Sequence, residues 1–471
     1  MGKLATALPV AWFLLLAADS TTLQSTRVDL LKDWESGNIG RRTIVALVDS
    51  ECPEIDYELE QWCSDLQEIT NNRNCLKLPF AEQPRLQDRK HAMRRTTYLA
   101  MFRRLVPALS QLGFDISAKP LDRFLASHRA METADILIVA EYTLTEIAFH
   151  KELGHARFIV VQTSEIGTIP RLACEFGDQR ILAFLQHTAL YPLLENNGPL
   201  IDDQRLMAWL DPMNVSIQMR QPEITKEELK KVYTVIPYVY RYLHPLDCGG
   251  RKWFLQLQPA FEKSRAEWLL PLEDRRYDVV IVAAANPLYP PAKNEHRLMA
   301  LQMVEYLEQR HQLQVRTFIR QPTTREFFDT VQNAKVFVSP FGHGEAAGHD
   351  YEAILNGAVL VKPNSMRLRS FPDIYSGGYS VSCQSDFSDL EQVVMTVLGH
   401  LERAQALVDT AYSKLVRDSS VENVVHTLGD ALKEIVSSPA ATEPLVGASC
   451  KPGFFTADDP IEQVFFNDRE M

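Results

Sequence analysis

The chain has 471 residues, of which 46% are hydrophobic and 23% charged, and its formal net charge is -12. This composition excludes wholesale disorder and supplies apolar material for two cores. The acidic balance argues against a nucleic-acid surface, which carries a basic excess, so no nucleic-acid partner is expected.

In chain order, the first signal is Lys3 followed by the uncharged run Leu4–Ala18, with Ala11-Trp12-Phe13-Leu14-Leu15-Leu16 at its core. A basic start, a short apolar core and small residues at Ala17, Ala18 and Ser20 give residues 1–20 the shape of a secretory signal. The run is shorter than the ~20 apolar residues of a full membrane span. A cleaved signal peptide is therefore expected first. An uncleaved signal-anchor, with membrane anchoring by residues 4–18, comes second, and a buried N-terminal helix is the plain alternative. The expected location is the secretory pathway, in the Golgi or ER lumen, or outside the cell. The sequon Asn214-Val215-Ser216 fits a lumenal chain and also arises by chance.

Cysteines stand at Cys52, Cys63, Cys75, Cys174, Cys248, Cys383 and Cys450, with no C-x-x-C spacing, so no structural zinc site is expected. Cys52, Cys63 and Cys75 could pair in an oxidising compartment; buried or surface thiols are the plainer reading.

Residues 21–40 are polar and aperiodic and read as a stem or linker. Thr43–Val48, Asp135–Ala140 and Arg157–Val161 are continuous apolar runs, the pattern of strands buried on both faces. Ile181–Leu185 and Val232–Val239 are weaker strand candidates. Between them, residues 91–113 carry apolar positions at threes and fours (Tyr98, Met101, Phe102, Leu105, Leu109, Leu112), which predicts a helix. Strands alternating with helices imply a parallel sheet, so residues 41–242 read as one α/β domain. The stretch 243–275, with Pro245, Gly249-Gly250, Pro259 and Pro271, reads as a crossover with a helix near Phe261–Leu269.

A cleaner alternation follows over 276–437. Tyr277–Ala283, Gln314–Ile319, Lys335–Ser339 and Ala358–Val361 are predicted strands. Asn294–His311 and Thr323–Ala334 are predicted helices, and residues 388–437 are largely helical. Residues 438–471 read as a C-terminal extension. The fold class predicted is α/β, with two Rossmann-like α/β domains facing a cleft.

The segment with chemical content runs from Ser339 to Gly357. It leaves a strand and enters a helix. Gly342 and Gly344 permit a sharp turn and leave room for a ligand. A helix N-terminus beyond them offers free N–H groups and a positive dipole end, an arrangement suited to a diphosphate. Glu345 and Glu352 share a helix face if the helix begins at Glu345, and a carboxylate there can accept two hydrogen bonds from a ribose diol. Lys362 ends the next strand, where its ammonium could balance phosphate charge. Each feature alone is more often a plain turn, a solvated helix face or an exposed lysine. Their joint order is what points to a nucleotide.

Residues 277–395 resemble the C-terminal region of GT-B superfamily glycosyltransferases, including the exostosin-like and spore-coat glycosyltransferase-like groups. The match runs through Ser339, Pro340, Phe341, Gly342, Gly344, Glu345, Asp350, Tyr351, Glu352, Ala353, Gly357, Lys362 and Pro363. His296-Arg297 and Phe387-Ser388-Asp389-Leu390 also resemble the family. His349 stands where the family usually has arginine, and His343 where an aromatic residue is common.

The resemblance implies a glycosyltransferase that moves a sugar from a nucleotide-diphosphate donor to a glycan or protein acceptor hydroxyl. It implies donor binding by Gly342, Gly344, Glu345, His349, Glu352, Lys362 and Arg297, with no metal and no cofactor beyond the donor as co-substrate. No catalytic residue is assigned. His91, Asp49 and Glu141 lie near strand ends as candidates for a general base, and each is more often structural. The alternatives are a degenerate, non-catalytic sugar-binding protein, motivated by His349, and a nucleotide-sugar epimerase of the same fold.

Overall fold

The computed structural model describes residues 42–48, 100–140, 144, 147, 150–161, 180–186, 188–190, 230–237, 257, 259–283, 291–320, 322–342, 346–365 and 368–442. The signal and stem segments, the sequon, the tail beyond residue 442, and Asp49, His91, Glu141, His343, Gly344 and Glu345 lie outside the described residues. So does every cysteine except Cys383, which is a buried free thiol.

The first part of the chain forms β1 (Ile44–Val48), α1 (Ala100–Gln111), β2 (Ile116–Pro120), α2 (Leu121–Leu125), α3 (His128–Thr133), β3 (Ile136–Ala140), β4 (Arg157–Val161), β5 (Ile181–Gln186), β6 (Thr188–Leu190) and β7 (Val232–Thr234). Six of these strands make one sheet in the order β2-β1-β3-β4-β5-β7, and every ladder in it is parallel. β1, β3, β4 and β5 are buried along their whole length, as continuous β-branched runs require. β2 is an element that the periodicity does not reveal. Its sequence Ile-Ser-Ala-Lys-Pro buries only Ile116, and its proline is tolerated because the strand is at the sheet edge.

The second part forms α4 (Arg265–Trp268), β8 (Tyr277–Val282), α5 (Pro291–His311), β9 (Val315–Phe318), α6 (Thr324–Val331), β10 (Ala334–Val338), α7 (Gly348–Leu355), β11 (Val359–Pro363), β12 (Leu368–Ser370), β13 (Val381–Cys383), α8 (Leu390–Gly399), α9 (Leu401–Asp418), α10 (Val421–Ser437) and α11 (Pro439–Thr442). Its sheet has the order β13-β11-β10-β8-β9, again with parallel ladders. The helix expected over Phe261–Leu269 is shorter. α4 starts after Ser264, whose N–H and hydroxyl both donate to Glu267 Oε2, at 3.0 and 2.6 Å. Thr323 caps α6 by accepting from Glu326 N at 3.1 Å. Ile319, expected to line β9, lies beyond the strand and is 68% exposed.

The molecule is therefore mixed α/β with two parallel-strand sheets. The two share a strand order: β2-β1-β3-β4 in one and β9-β8-β10-β11 in the other. In each, connections leave toward opposite faces between the first and third strands in sequence. That switch point opens a crevice beyond the strands' carboxyl ends. A short antiparallel ladder, β6 with β12, joins the two parts of the chain.

The last long helix, α10, packs with the first sheet. Val424, Val425, Leu428, Leu432 and Ile435 of α10 share a core with Ile44 and Ile138 of the first sheet and Phe102 of α1. Tyr233 also donates to Glu434 at 3.1 Å. The approach is close: a Cβ at Gly429 would sit 3.0 Å from a Leu112 side-chain methyl, so a larger residue there would make that leucine shift. α8 and α9 instead supply Leu390, Val394, Ala404 and Val408 to a core with Val279, Val336 and Val361 of the second sheet. Among the described residues, no helix is long and apolar enough to cross a membrane.

Candidate functional site

The chemistry-bearing segment lies at the switch point of the second sheet, where β8 and β10 end side by side. Two side chains from α5, the helix that follows β8, reach the loop that follows β10. Arg297 donates from Nε to the Phe341 carbonyl at 3.0 Å. His296 stacks on the Phe341 ring, with centroids 4.5 Å apart and planes inclined by 7°. The same imidazole also meets the Phe387 ring, tilted by 44° with centroids 4.9 Å apart. His296 Nε2 lies 3.0 Å from the Ser385 carbonyl, which assigns Nε2 as the protonated nitrogen. Burial pushes its pKa down to about 3, and the nearby charges of Lys362 and Arg297 act in the same direction against the Ser385 hydrogen bond. His296 is thus a neutral wedge that holds the loop, and Arg297 pins its backbone.

α7 begins at Gly348, after the non-helical Ala346 and Ala347. The shared face proposed for Glu345 and Glu352 required a helix starting at Glu345, so that argument fails. Gly342, by contrast, is buried in the segment that follows β10, four residues beyond its end.

The first turn of α7 is organised by Asp350, which is completely buried. Its Oδ2 accepts from Ala347 N at 3.0 Å and from the Tyr375 hydroxyl at 2.6 Å. Its Oδ1 accepts from the Ser339 hydroxyl at 2.5 Å. Lys362, at the carboxyl end of β11, completes the cluster: its Nζ is 3.1 Å from Asp350 Oδ2 and 5.7 Å from the centre of the Phe341 ring. The expectation that Lys362 meets phosphate at a cleft edge is corrected here. Its side chain is 2% exposed, and its charge is balanced inside the protein. Geometry explains the change, because Lys362 lies opposite an acid that the sequence alone does not place.

His349 and Glu352 come together on the next face of α7. His349 Nδ1 is 2.8 Å from Glu352 Oε2, with side chains 30% and 6% exposed. A proton on Nδ1 is what the Glu352 carboxylate can accept. The His349 ring also meets Phe327 of α6, at 5.0 Å. Of the site residues expected from sequence, Gly342, His349, Glu352 and Arg297 surround the β10–α7 connection, Lys362 lies beneath it, and Gly344 and Glu345 are outside the described residues. Ser339 and Tyr375 are the partners that sequence reasoning missed. Tyr375 is remote in sequence and carries no motif, while Ser339 was legible as a strand end within the family match but not as a partner of Asp350.

Behind this face, Arg275 secures the frame. It donates to the carbonyls of Leu270, Ala334 and Asn356, so it ties the start of β10 to the end of α7. Burial lowers its pKa to about 9. Among the described residues there is no group of three or more His, Cys, Asp or Glu side chains placed to hold a metal ion.

No family model matches the chain, and no curated protein matches it. Solved structures do. A crystal structure of TarM aligns at 9% identity with a TM-score of 0.35, over 64% of this chain and 55% of TarM, so little more than half of that protein's length is spanned. A glycosyltransferase from Rickettsia africae ESF-5 aligns at 8% identity with a TM-score of 0.36, over 84% of this chain and 99% of that one. Anabaena Alr3699/HepE, in complex with UDP-glucose, aligns at 9% identity with a TM-score of 0.33, over 83% and 99%. Resemblance of this degree leaves the site geometry to carry the functional reading.

Proposed function

We propose that this chain is a glycosyltransferase of the two-domain GT-B type, which takes a sugar from a nucleotide-diphosphate donor to a hydroxyl of a glycan or protein acceptor. The observation that supports it is the arrangement at the switch point of the second sheet. Gly342 is buried beside Phe341, which Arg297 and His296 hold, and the eight-residue helix α7 that follows carries His349 and Glu352 in its first turns. Crevices of this kind are where open parallel sheets take nucleotides.

In this proposal Glu352 accepts the ribose hydroxyls, and the amino end of α7 with His349 faces the diphosphate. The acceptor oxygen attacks the anomeric carbon, the bond from that carbon to the diphosphate oxygen breaks, the electron pair leaves on the diphosphate, and the proton of the attacking hydroxyl passes to solvent or to the departing diphosphate. Helix-end amides and an imidazolium stabilise that charge as it develops. Lys362 serves only indirectly, by neutralising Asp350 so that the helix start keeps its shape. Metal-free transfer and a secretory or Golgi location, with residues 4–18 as signal or anchor, belong to the same proposal.

A second reading is a sugar-nucleotide binder without activity. It is favoured by the loss of Lys362 to Asp350 and by His349 where the resembling enzymes have arginine, which leaves fewer cations for the leaving group. Hydrolysis of donor in the absence of acceptor separates the two. Release of nucleoside diphosphate, abolished in Glu352→Gln, supports transfer; tight donor binding without any release supports the inactive binder.

A further inference from the structure

At the carboxyl edge of the first sheet, two buried polar side chains have no partner. Gln186 ends β5 and Thr234 ends β7, and the two residues are paired in the parallel ladder. They are 2% and 9% exposed. Neither the amide oxygen nor the amide nitrogen of Gln186 makes a hydrogen bond, and neither does the Thr234 hydroxyl. The adjoining backbone is satisfied, with Val235 N and Ile236 N both donating to the Gln186 carbonyl, at 3.2 and 3.0 Å.

The two side chains point the same way. Phe184 and Val232, two residues earlier on each strand, share one core, while Leu185 and Val235 belong to the other. Alternation along a strand then puts Gln186 and Thr234 on the Phe184 side, on strands spaced about 4.8 Å apart. An amide and a hydroxyl are thus side by side, both able to donate and to accept. Buried polar groups are nearly always hydrogen-bonded, so two adjacent exceptions at a ligand-binding edge call for an absent partner. Both side chains are themselves uncharged and can each donate and accept, so a neutral partner whose own groups donate and accept matches them.

We propose that Gln186 and Thr234 form a seat for a neutral hydroxyl-bearing ligand, a pair of carbohydrate hydroxyls. The seat rests on the unsatisfied atoms; the choice of carbohydrate rests on the glycosyl-transfer reading above. A sugar hydroxyl both donates and accepts, which is what this pair requires. The β6–β12 ladder begins two residues beyond Gln186, so the seat lies beside the point where the first part of the chain joins the second.

The test uses the full chain and the variants Thr234→Val and Gln186→Met, melted with and without the methyl glycosides of glucose, galactose, mannose and N-acetylglucosamine. At least one glycoside is expected to raise the wild-type melting temperature, with half-saturation weakened at least tenfold in each variant. Without ligand, both variants are expected to melt no lower than wild type, because they remove atoms that bond to nothing. A drop of about 2 °C or more in the unliganded variants would show that a fixed buried partner, such as a water, already satisfies these groups, and would overturn the proposal. Equal protection of wild type and variants, or no protection by any glycoside, would overturn it as well. A parallel series with nucleotide sugars keeps the two readings apart. Protection by nucleotide sugars alone sinks the seat and leaves the transferase. Glycoside protection lost in Thr234→Val, with no nucleotide-sugar response, sinks the transferase and leaves the seat.

Discussion

Lys362 Nζ sits 3.1 Å from Asp350 Oδ2, with the two side chains 2% and 0% exposed. Ser339 and Tyr375 add hydroxyl donors to the same carboxylate. The pair joins the end of β11 to the first turn of α7, so its loss acts on the shape of the site before it acts on any ligand. Lys362→Met leaves a buried carboxylate uncompensated and should cost about 3–5 kcal/mol in urea unfolding. Adding Asp350→Asn should recover part of that loss. A stable Lys362→Met protein that only binds diphosphates less well would show that the lysine faces the ligand after all.

His296 makes stability depend on pH. Its folded-state pKa, about 3, lies below the unfolded value. The unfolded chain therefore binds the proton first. The contribution of His296 is fully present above the unfolded pKa of about 6.5 and is lost as pH falls toward the folded value. Between pH 6.5 and 5.0 the loss should reach about 2 kcal/mol. Urea midpoints of wild type and His296→Phe across this range test it: the variant should show a shallower decline, and parallel declines would remove His296 as the cause.

Gly357 follows α7 at φ +71°, where an added Cβ would lie 2.6 Å from both an Arg275 guanidinium nitrogen and Leu269. Gly357→Ala thus combines a strained backbone with displacement of a buried arginine that serves three carbonyls. The expected cost is about 2–4 kcal/mol, read as a lower melting temperature. A shift within error would mean that Arg275 moves aside freely.

His349 tests the diphosphate side of the proposed site. His349→Ala should weaken a nucleotide-diphosphate sugar about tenfold to a hundredfold, the range of one charge-assisted hydrogen bond, and should weaken the plain nucleoside much less. Titration calorimetry with both ligands reads the ratio. Equal losses would assign His349 to orienting Glu352 instead.

The strands of both sheets were legible wherever burial on two faces produced an unbroken apolar run, as in Ile136–Ala140 and Val359–Val361. β2 was not, because an edge strand needs only Ile116 inside and admits Lys119 and Pro120. The order of strand, helix and strand from Ala334 to Pro363 was also legible, since each run carries the apolar pattern of its element. The partnership of Lys362 with Asp350 was not, because it depends on how β11 lies against α7 and on Tyr375, which no spacing connects to either. The return of α10 to the first sheet escaped for a similar reason: its apolar stripe announces a buried face and says nothing of which sheet covers it. Gln186 and Thr234 carried no signal at all, because an orphaned side chain exists only once the fold has surrounded it.

The most direct test of the central claim is the melting temperature of the protein against a panel of nucleotide-diphosphate sugars, with Glu352→Gln in parallel. The account predicts that one donor class stabilises the wild type and that Glu352→Gln, still folded, loses the response by at least tenfold in half-saturation. Stabilisation of both proteins alike, or no response to any donor in a well-folded sample, would contradict it.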